Sequence, residues 1–384
     1  MRPALAVALA LFAAVLTACH PVGEAGKTDQ IQFVGATTVD GYKFDQYRNL
    51  AYPCSIAGYQ TFVIGTKVGS SDTETKPLWV RMRGGGVGYF DSTGQPQPTA
   101  GNKSEESAAT SISFLNPNGL MDLVRNDPLG FRLVSVSMCN HDIYAGGDQP
   151  DPNNPNTLPN GEGRTVNGLF ATKAAIQFAR AKYPTSKFFL QGTSAGSAGA
   201  LGVSWGLQEQ GIPPAGTIAD SGVVNIEWEK ARHDQGTCSD FGSDRDAEAL
   251  AAIRARSQFQ LADINNEPDK LVSRGVLKVP LIHIWNSADT NVCGATQMSC
   301  PLRDGSTVPM GAANCVHEPL RAAIAGLGPG SPSRNMRVCV SNPPAAGTCT
   351  VHVVTTRHVQ NTDPSSPADY IGAIMDWVHA RLND

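Results

Sequence analysis

The chain has 384 residues, a formal net charge of −4 and a hydrophobic fraction of 41%. This length is enough for one large domain, and the apolar content excludes a disordered chain. No block of Lys and Arg interrupts the sequence, so the composition gives no indication of nucleic-acid binding.

The N-terminus has the pattern of an export signal. Arg2 precedes an apolar run over residues 4–15, which is too short to span a bilayer comfortably. We therefore predict a signal peptide over residues 1–18, followed by a small, polar tether over residues 19–30. No other stretch of the sequence is long and apolar enough to predict a membrane helix.

The signal ends in Leu16-Thr17-Ala18-Cys19, which resembles a bacterial lipobox. In such a motif the cysteine becomes the lipidated first residue of the mature chain, so Cys19 is the predicted lipidation site. The alternative is ordinary cleavage near Ala18. We expect an extracytoplasmic protein in either case, held at the bacterial cell envelope by a lipid anchor or secreted.

The number of cysteines is consistent with an exported protein. Beyond Cys19 the chain has eight cysteines, and these are Cys54, Cys139, Cys238, Cys293, Cys300, Cys315, Cys339 and Cys349. An even number of cysteines in an exported chain predicts disulfide bonds. Structural zinc is the alternative, but no Cys-x-x-Cys pair occurs. The one pairing we predict is Cys339–Cys349, which would close a short loop rich in Pro, Asn and Gly.

Strand and helix patterns alternate along the rest of the chain. Apolar or alternating runs predict strands at residues 31–39, 59–64, 77–82, 131–138, 188–190, 215–219, 279–285 and 351–354. Helical periodicity predicts helices at residues 165–182, 198–208, 247–258 and 320–325 and from Pro367 onward. The first two strands are expected at an antiparallel edge. The alternation predicts one α/β domain over residues 31–384, with a mostly parallel, doubly wound sheet and loop insertions.

The most specific motif lies within residues 187–202. Gly192-Thr193-Ser194-Ala195-Gly196 follows the apolar run at 188–190 and precedes the predicted helix at 198–208. A strand, a sharp turn and a helix are the setting in which Gly-x-Ser-x-Gly exposes a nucleophilic serine in the α/β-hydrolase fold. The alternative is a turn whose glycines serve only packing. We predict that Ser194 is a nucleophile on this fold.

A serine hydroxyl needs a base to take its proton and an acid to orient that base. In this fold the partners follow the serine in the order acid and then histidine, each after a strand. Asp220 and Asp289 both follow predicted strands, and we predict Asp289 as the acid and Asp220 as a structural carboxylate that holds a loop. His352 falls inside the predicted last strand and His358 follows it, so we predict His358 as the base.

The oxyanion of an acyl-transfer intermediate needs fixed hydrogen-bond donors. One donor is expected to be the backbone N–H of Ala195, the residue after the nucleophile. The others are expected in Gly84-Gly85-Gly86, which follows the predicted strand at 77–82, and we assign them to the N–H groups of Gly85 and Gly86. The alternative is that these glycines form only a flexible turn.

With these residues in place, the chain resembles the pectin acetylesterase and Notum family of α/β-hydrolases. The matching motifs are Gly84-Gly85-Gly86, Asn116-Pro117, Met138-Cys139-Asn140-His141-Asp142, the segment from Gly192 to Gly196, and Asp220-Ser221-Gly222. The resemblance covers about residues 80–230 and extends further only through Asp289 and His358. It implies carboxylic ester hydrolysis by a serine triad without a metal or other cofactor. Family members remove acetyl groups from pectin or a fatty acyl group from a protein.

The chain departs from the family pattern near the expected substrate side. Val87 and Gly88 stand where the family has an aromatic residue and a cysteine, Met138 replaces a tyrosine, and Ser197 replaces a glycine. The substrate therefore does not carry over from the resemblance. The sequence leaves the oligomeric state undetermined.

These observations predict an exported serine carboxylesterase that cleaves O-acyl, and especially O-acetyl, esters of a polysaccharide or similar polymer. A polyester depolymerase, a feruloyl-type esterase and a peptidase are the alternatives among enzymes. A non-catalytic surface binding protein on a hydrolase scaffold is the alternative from another class.

Overall fold

The computed structural model describes residues 22–97, 103–237, 251–252, 254–257, 263–341 and 348–384. The predicted signal peptide at 1–18, Cys19 and much of the predicted helix at 247–258 lie outside the described residues. Residues 251–252 and 254–256 are helical, as predicted. Within the described ranges, no helix combines the length and apolar character that crossing a bilayer requires.

The strands range from two to twelve residues in length. They are β1 (Ile31–Val39), β2 (Tyr42–Pro53), β3 (Tyr59–Lys67), β4 (Lys76–Met82), β5 (Tyr89–Phe90), β6 (Pro96–Gln97), β7 (Arg132–Val136), β8 (Gln149–Pro150), β9 (Thr165–Val166), β10 (Thr185–Thr193), β11 (Gly216–Asp220), β12 (Leu281–Asn286), β13 (Gln297–Pro301), β14 (Thr307–Gly311) and β15 (Arg334–Val338). In the part of the chain that the structure describes, separate two-stranded antiparallel sheets are formed by β5 with β6, β8 with β9 and β13 with β14.

Helices connect most of the longer strands. They are α1 (Ala108–Ser113), α2 (Leu120–Asn126), α3 (Gly168–Lys182), α4 (Ala195–Glu209), α5 (Ile226–Asp234), α6 (Pro268–Ser273), α7 (Ala312–Gly326) and α8 (Tyr370–Asn383). Short 3-10 helices span Ile264–Asn266, Thr290–Val292 and Val354–Thr356. The helix predicted at 320–325 is the C-terminal part of the longer α7, which contains Pro319.

Nine strands form one sheet in the order β1-β2-β3-β7-β4-β10-β11-β12-β15. The pairs from β1 to β7 are antiparallel, and every pair from β7 to β15 is parallel. The predicted antiparallel edge and mostly parallel sheet are therefore confirmed. Because parallel strands end at the same edge, the loops after β4, β10, β11 and β12 converge there.

Helices cover both faces of this sheet, because successive side chains of a strand point to opposite sides. On one face Trp79 of β4 packs in an apolar cluster that includes Ile374 of α8. On the other face Leu78 packs in a cluster that includes Ile176 of α3 and Val203 of α4. The two clusters hold the central strands rigidly between helices.

The C-terminal end of the sheet differs from the prediction. The last strand is β15, an edge strand in which Arg334 and Arg337 are exposed, so its sequence carries little apolar signal. Residues 351–354, predicted as a strand, form a loop that enters the 3-10 helix Val354–Thr356. Val351 is apolar because it is buried in the core cluster under α8, and not because it belongs to a sheet.

Disulfide bonds join Cys54 to Cys139, Cys300 to Cys315 and Cys339 to Cys349. The predicted Cys339–Cys349 pairing is confirmed. Cys293 is also disulfide-bonded, whereas Cys238 lies outside the described residues. The Cys300–Cys315 bond ties β13 to the first turns of α7 and so fixes the start of that helix.

Candidate active site

Ser194 lies at the sharp turn between β10 and α4. Its backbone has φ 52° and ψ −125°, which is uncommon for a residue with a side chain. A Cβ on Gly192 would collide with the carbonyl group of Gly196, and a Cβ on Gly196 would collide with the carbonyl oxygen of Met82. Both glycines of the motif are therefore required by close backbone approach. The predicted strand–turn–helix setting of Ser194 is confirmed.

Asp289 and His352 form a hydrogen-bonded pair beside this turn. Asp289 follows β12 and is fully buried, and its Oδ2 lies 2.6 Å from Nδ1 of His352. Its Oδ1 accepts a hydrogen bond from the N–H of Asn291 at 2.9 Å. The carboxylate thus holds the proton on Nδ1 and leaves Nε2 of His352 available. Ser194 and His352 line the same cavity.

His358 lies elsewhere. Its side chain is 53% exposed and its Nε2 is 3.5 Å from Oδ2 of Asp122 on α2, and it does not line the cavity that contains Ser194. The prediction that His358 joins Asp289 is wrong, because His352 occupies that place. The error follows from assigning residues 351–354 to a strand, where a histidine would face a neighbouring strand instead of the cavity.

Asp220 anchors the loop that carries His352. Its fully buried carboxylate accepts hydrogen bonds from the N–H of Val354 at 3.1 Å and the N–H of Thr355 at 2.8 Å. The hydroxyl of Thr355 donates a third at 2.6 Å. Between His352 and these donors, Val353 has φ 63°, a strained value for a β-branched residue. The predicted loop-holding role of Asp220 is confirmed, and the loop it holds is the one that presents His352.

The glycine loop after β4 lies against Ser194, and a Cβ on Gly84 would fall 2.7 Å from Cβ of Ser194. The Nη1 of Arg83 donates to the carbonyl oxygen of Gly84 at 2.9 Å. Nδ1 of His141 lies 3.1 Å from the carbonyl oxygen of Gly85. In a trans peptide the C=O and the next N–H point in opposite directions. These two contacts therefore aim the N–H groups of Gly85 and Gly86 away from Arg83 and His141.

His141 is a residue whose role the sequence did not reveal. It is almost fully buried, and burial, with the nearby charges of Arg83 and Lys103, lowers its pKa to about 4. The imidazole is therefore neutral near pH 7, and Nδ1 donates to the Gly85 carbonyl. The only signal in the sequence is the polar run from Cys139 to Asp142 at the end of a strand.

The cavity above Ser194 encloses about 890 Å³. Its walls include Gly84, Gly85, Gly86 and Ala195, together with apolar side chains such as Val87, Phe114, Ile143, Val224, Trp228 and Val292. The N–H of Ala195 is the first of α4 and has no intrahelical acceptor. Among the described residues, no three His, Cys, Asp or Glu side chains are grouped so that they could hold a metal ion.

The sheet order and the serine turn between β10 and α4 define an α/β-hydrolase fold. Solved structures with detectable similarity include a carboxyl esterase from the fungus Tuber melanosporum, at 13% identity over 94% of this chain and 90% of that chain, with a TM-score of 0.47. An esterase from Rhizomucor miehei shows 16% identity over 93% and 86%, with a TM-score of 0.45. Brefeldin A esterase, a bacterial homologue of human hormone-sensitive lipase, shows 13% identity over 96% and 76%, with a TM-score of 0.40. No known protein-family profile and no curated protein matches the sequence.

Proposed function

We propose that the protein is a serine carboxylesterase with Ser194 as nucleophile, His352 as base and Asp289 as the acid that orients the base. The observation that carries the proposal is the Asp289–His352 pair, at 2.6 Å, whose histidine lines the same cavity as the strained Ser194 turn. A nucleophile, a base and an orienting carboxylate are the three parts that activate a serine hydroxyl.

In the proposed reaction Nε2 of His352 takes the Ser194 proton while Oγ attacks the carbonyl carbon of the ester. The N–H groups of Gly85, Gly86 and Ala195 stabilise the oxyanion of the tetrahedral intermediate. As the intermediate collapses, the C–O bond to the alcohol breaks and His352 returns the proton to the leaving oxygen. Water then attacks the acyl-enzyme by the same route, which releases the carboxylic acid and restores Ser194.

The substrate class we propose is an O-acyl, especially O-acetyl, ester of a polysaccharide or similar polymer. Support comes from the motifs shared with the pectin acetylesterase and Notum family, which include Gly192 to Gly196 and Asp220-Ser221-Gly222. The apolar side chains in the cavity walls, such as Val224 and Trp228, also suit an acyl chain. A polyester and a feruloyl ester are the competing substrates. Measuring the turnover of each of them and of acetylated glycans by the same enzyme compares the three directly.

Export is part of the same proposal. Disulfide bonds within the domain support an oxidising compartment, since they are rare in cytosolic proteins. The signal peptide at 1–18 and lipidation at Cys19 remain proposals from the sequence. Membrane association that persists unchanged in a Cys19→Ser variant would count against the lipid anchor.

Labelling with a fluorophosphonate probe tests the catalytic assignment. Wild-type protein should be labelled on Ser194, and Ser194→Ala should lose both the label and ester turnover, with kcat lower by a factor on the order of 10⁴ or more. His352→Ala should be similarly inactive, and the double variant should be little worse because a triad acts as a unit.

The matched control is His358→Ala, which removes the histidine that lies outside the cavity and should retain wild-type labelling and turnover. An inactive, folded His358→Ala beside an active His352→Ala would refute the assignment. A wild-type protein that neither reacts with the probe nor turns over any ester would favour the non-catalytic alternative.

A further inference from the structure

A pair of hydrogen-bonded histidines adjoins the cavity. His283 lies on β12 and His317 lies on α7, and Nε2 of His283 is 2.9 Å from Nδ1 of His317. Both side chains are almost completely buried. His317 also lines the cavity that contains Ser194 and His352, and its imidazole is close enough to His352 for their charges to interact.

The hydrogen bonds around this pair define which nitrogen carries each proton. Nδ2 of Asn335 donates to the carbonyl oxygen of Arg321 at 2.9 Å, which turns Oδ1 of Asn335 towards Nδ1 of His283 at 3.2 Å. Nδ1 of His283 is therefore the donor in that contact. Burial lowers the pKa of His283 to about 4 and that of His317 well below its ordinary value, so both rings are neutral near pH 7.

A neutral imidazole has one donor and one acceptor nitrogen. Since Nδ1 of His283 donates, its Nε2 accepts the proton of Nδ1 of His317. The remaining nitrogen of His317, Nε2, is then an acceptor with a free lone pair. It is buried and has no hydrogen-bond partner among the described residues. Such a group is costly to leave unsatisfied, so its retention needs an explanation.

The ring of His317 cannot easily turn to find another partner. It stacks on the indole of Trp285, with centroids 5.3 Å apart and planes inclined by 19°. Nε1 of Trp285 donates to Oδ1 of Asn314 at 3.1 Å, which orients the indole in turn. The Cys300–Cys315 disulfide anchors α7 two residues before His317. The acceptor is thus held in place before any ligand binds.

We propose that Nε2 of His317 accepts a hydrogen bond from a hydroxyl group on the alcohol portion of the ester, which makes His317 a specificity determinant for esters of polyhydroxylated alcohols such as acylated sugars. The inference rests on the proposed esterase function. The alcohol side is favoured because His352 must return its proton to the leaving alcohol, and His317 lies on the side of the cavity near His352. An alcohol without a hydroxyl would leave the buried acceptor unpaired, and a site of this kind discriminates strongly against such analogues.

The test compares kcat/KM for monoacetates of a methyl glucopyranoside with matched acetates in which the remaining hydroxyls are replaced by hydrogen. Wild-type enzyme should prefer at least one hydroxylated ester over its deoxygenated counterpart by on the order of 10- to 100-fold, the cost of leaving one buried acceptor unpaired. In His317→Asn the side-chain amide can still donate to His283 in place of Nδ1, but no acceptor reaches the position of Nε2. This variant should lose the preference, with a ratio close to one.

His317→Gln places its amide group near the position of Nε2 and should keep part of the preference, which separates loss of the acceptor from general damage to the fold. His358→Gln serves as the histidine control and should keep the wild-type ratio. Equal rates on both esters in wild type, or an unchanged ratio in folded His317→Asn, would overturn the inference while leaving the esterase assignment intact. Turnover that survives in Ser194→Ala would instead overturn the proposed function.

Discussion

Single residues of this site are held by contacts that leave them little freedom. Ser194 has a strained backbone, and the glycines on either side of it leave no room for a Cβ. His352 is followed by Val353, which has a positive φ. Strain of this kind persists only when the surroundings over-determine the conformation. For His352 the main constraint is the buried carboxylate of Asp220, which binds the backbone just beyond Val353.

Replacing Asp220 by Asn should expose this role. In the variant, the side-chain NH2 group would face the backbone N–H of Val354 or Thr355, so two donors would meet where a carboxylate oxygen now accepts. The buried guanidinium of Arg81 would also lose an opposing charge. We expect the free energy of unfolding to fall by on the order of 3 kcal/mol, because a buried charge network loses one partner. Chemical denaturation measures the loss. Asp122→Asn, which changes a partly exposed carboxylate that contacts His358 and Asn126, should cost less than about 1 kcal/mol. Equal stability of the two variants would contradict the anchoring role.

Among the elements, the loops at the carboxyl ends of the parallel strands bring the site together. The loop after β4 supplies Gly85 and Gly86, the turn after β10 supplies Ser194, and the loop after β12 supplies Asp289. The loop after β7 contributes indirectly, since His141 holds the carbonyl oxygen of Gly85. The orientation of the proposed oxyanion donors therefore depends on His141, a residue of a neighbouring loop that does not itself line the cavity.

Replacing His141 by Ala should release the Gly85 carbonyl and let the glycine loop sample other orientations. We expect kcat to fall by on the order of 10- to 100-fold with little change in KM, because the donors act mainly on the transition state. His141→Asn should recover much of kcat, since its amide can donate to Gly85 and asparagine tolerates the φ of 49° at this position. Steady-state kinetics of the two variants provide the measurement. A KM effect alone, or an Asn variant no better than Ala, would show that His141 does not position the loop.

At the scale of the whole molecule, buried neutral histidines couple folding to pH. The pKa of His141 and that of His283 are both lowered to about 4, mainly by burial. In the unfolded chain each imidazole takes up a proton below about pH 6.5. Between these values the unfolded state binds more protons than the native state. The contribution of the two histidines to the free energy of unfolding is therefore complete above about pH 6.5 and is lost as the pH falls towards 4.

We therefore expect the free energy of unfolding to decrease from about pH 6.5 towards pH 4, with each of the two histidines contributing on the order of 3 kcal/mol over the full window. Urea denaturation at a series of pH values measures this slope. His141→Asn should show a shallower slope than wild type, because one buried titrating group is gone. A wild-type stability that stays constant from pH 7 to 5 would exclude the effect.

Local sequence patterns determined much of this architecture. The alternation of apolar runs and helical periods predicted the parallel sheet, and Gly-x-Ser-x-Gly predicted the turn at Ser194. Asp289 could be predicted as the acid because it comes shortly after a strongly apolar strand, at the point where this fold usually places the acid, and Cys339–Cys349 because its loop is short. These features depend on neighbours along the chain, so a single sequence carries them.

The tertiary structure decided which histidine meets Asp289. An apolar run such as 351–354 looks the same whether it forms a strand or a buried loop, while the edge strand β15 carries exposed arginines and little apolar signal. His352 lines the cavity on a loop whose following backbone is bound by Asp220, far away in sequence. The proposed roles of His141 and His317 likewise depend on partners from distant parts of the chain. Contacts of this kind arise from packing between distant segments, and no local spacing in the chain encodes them.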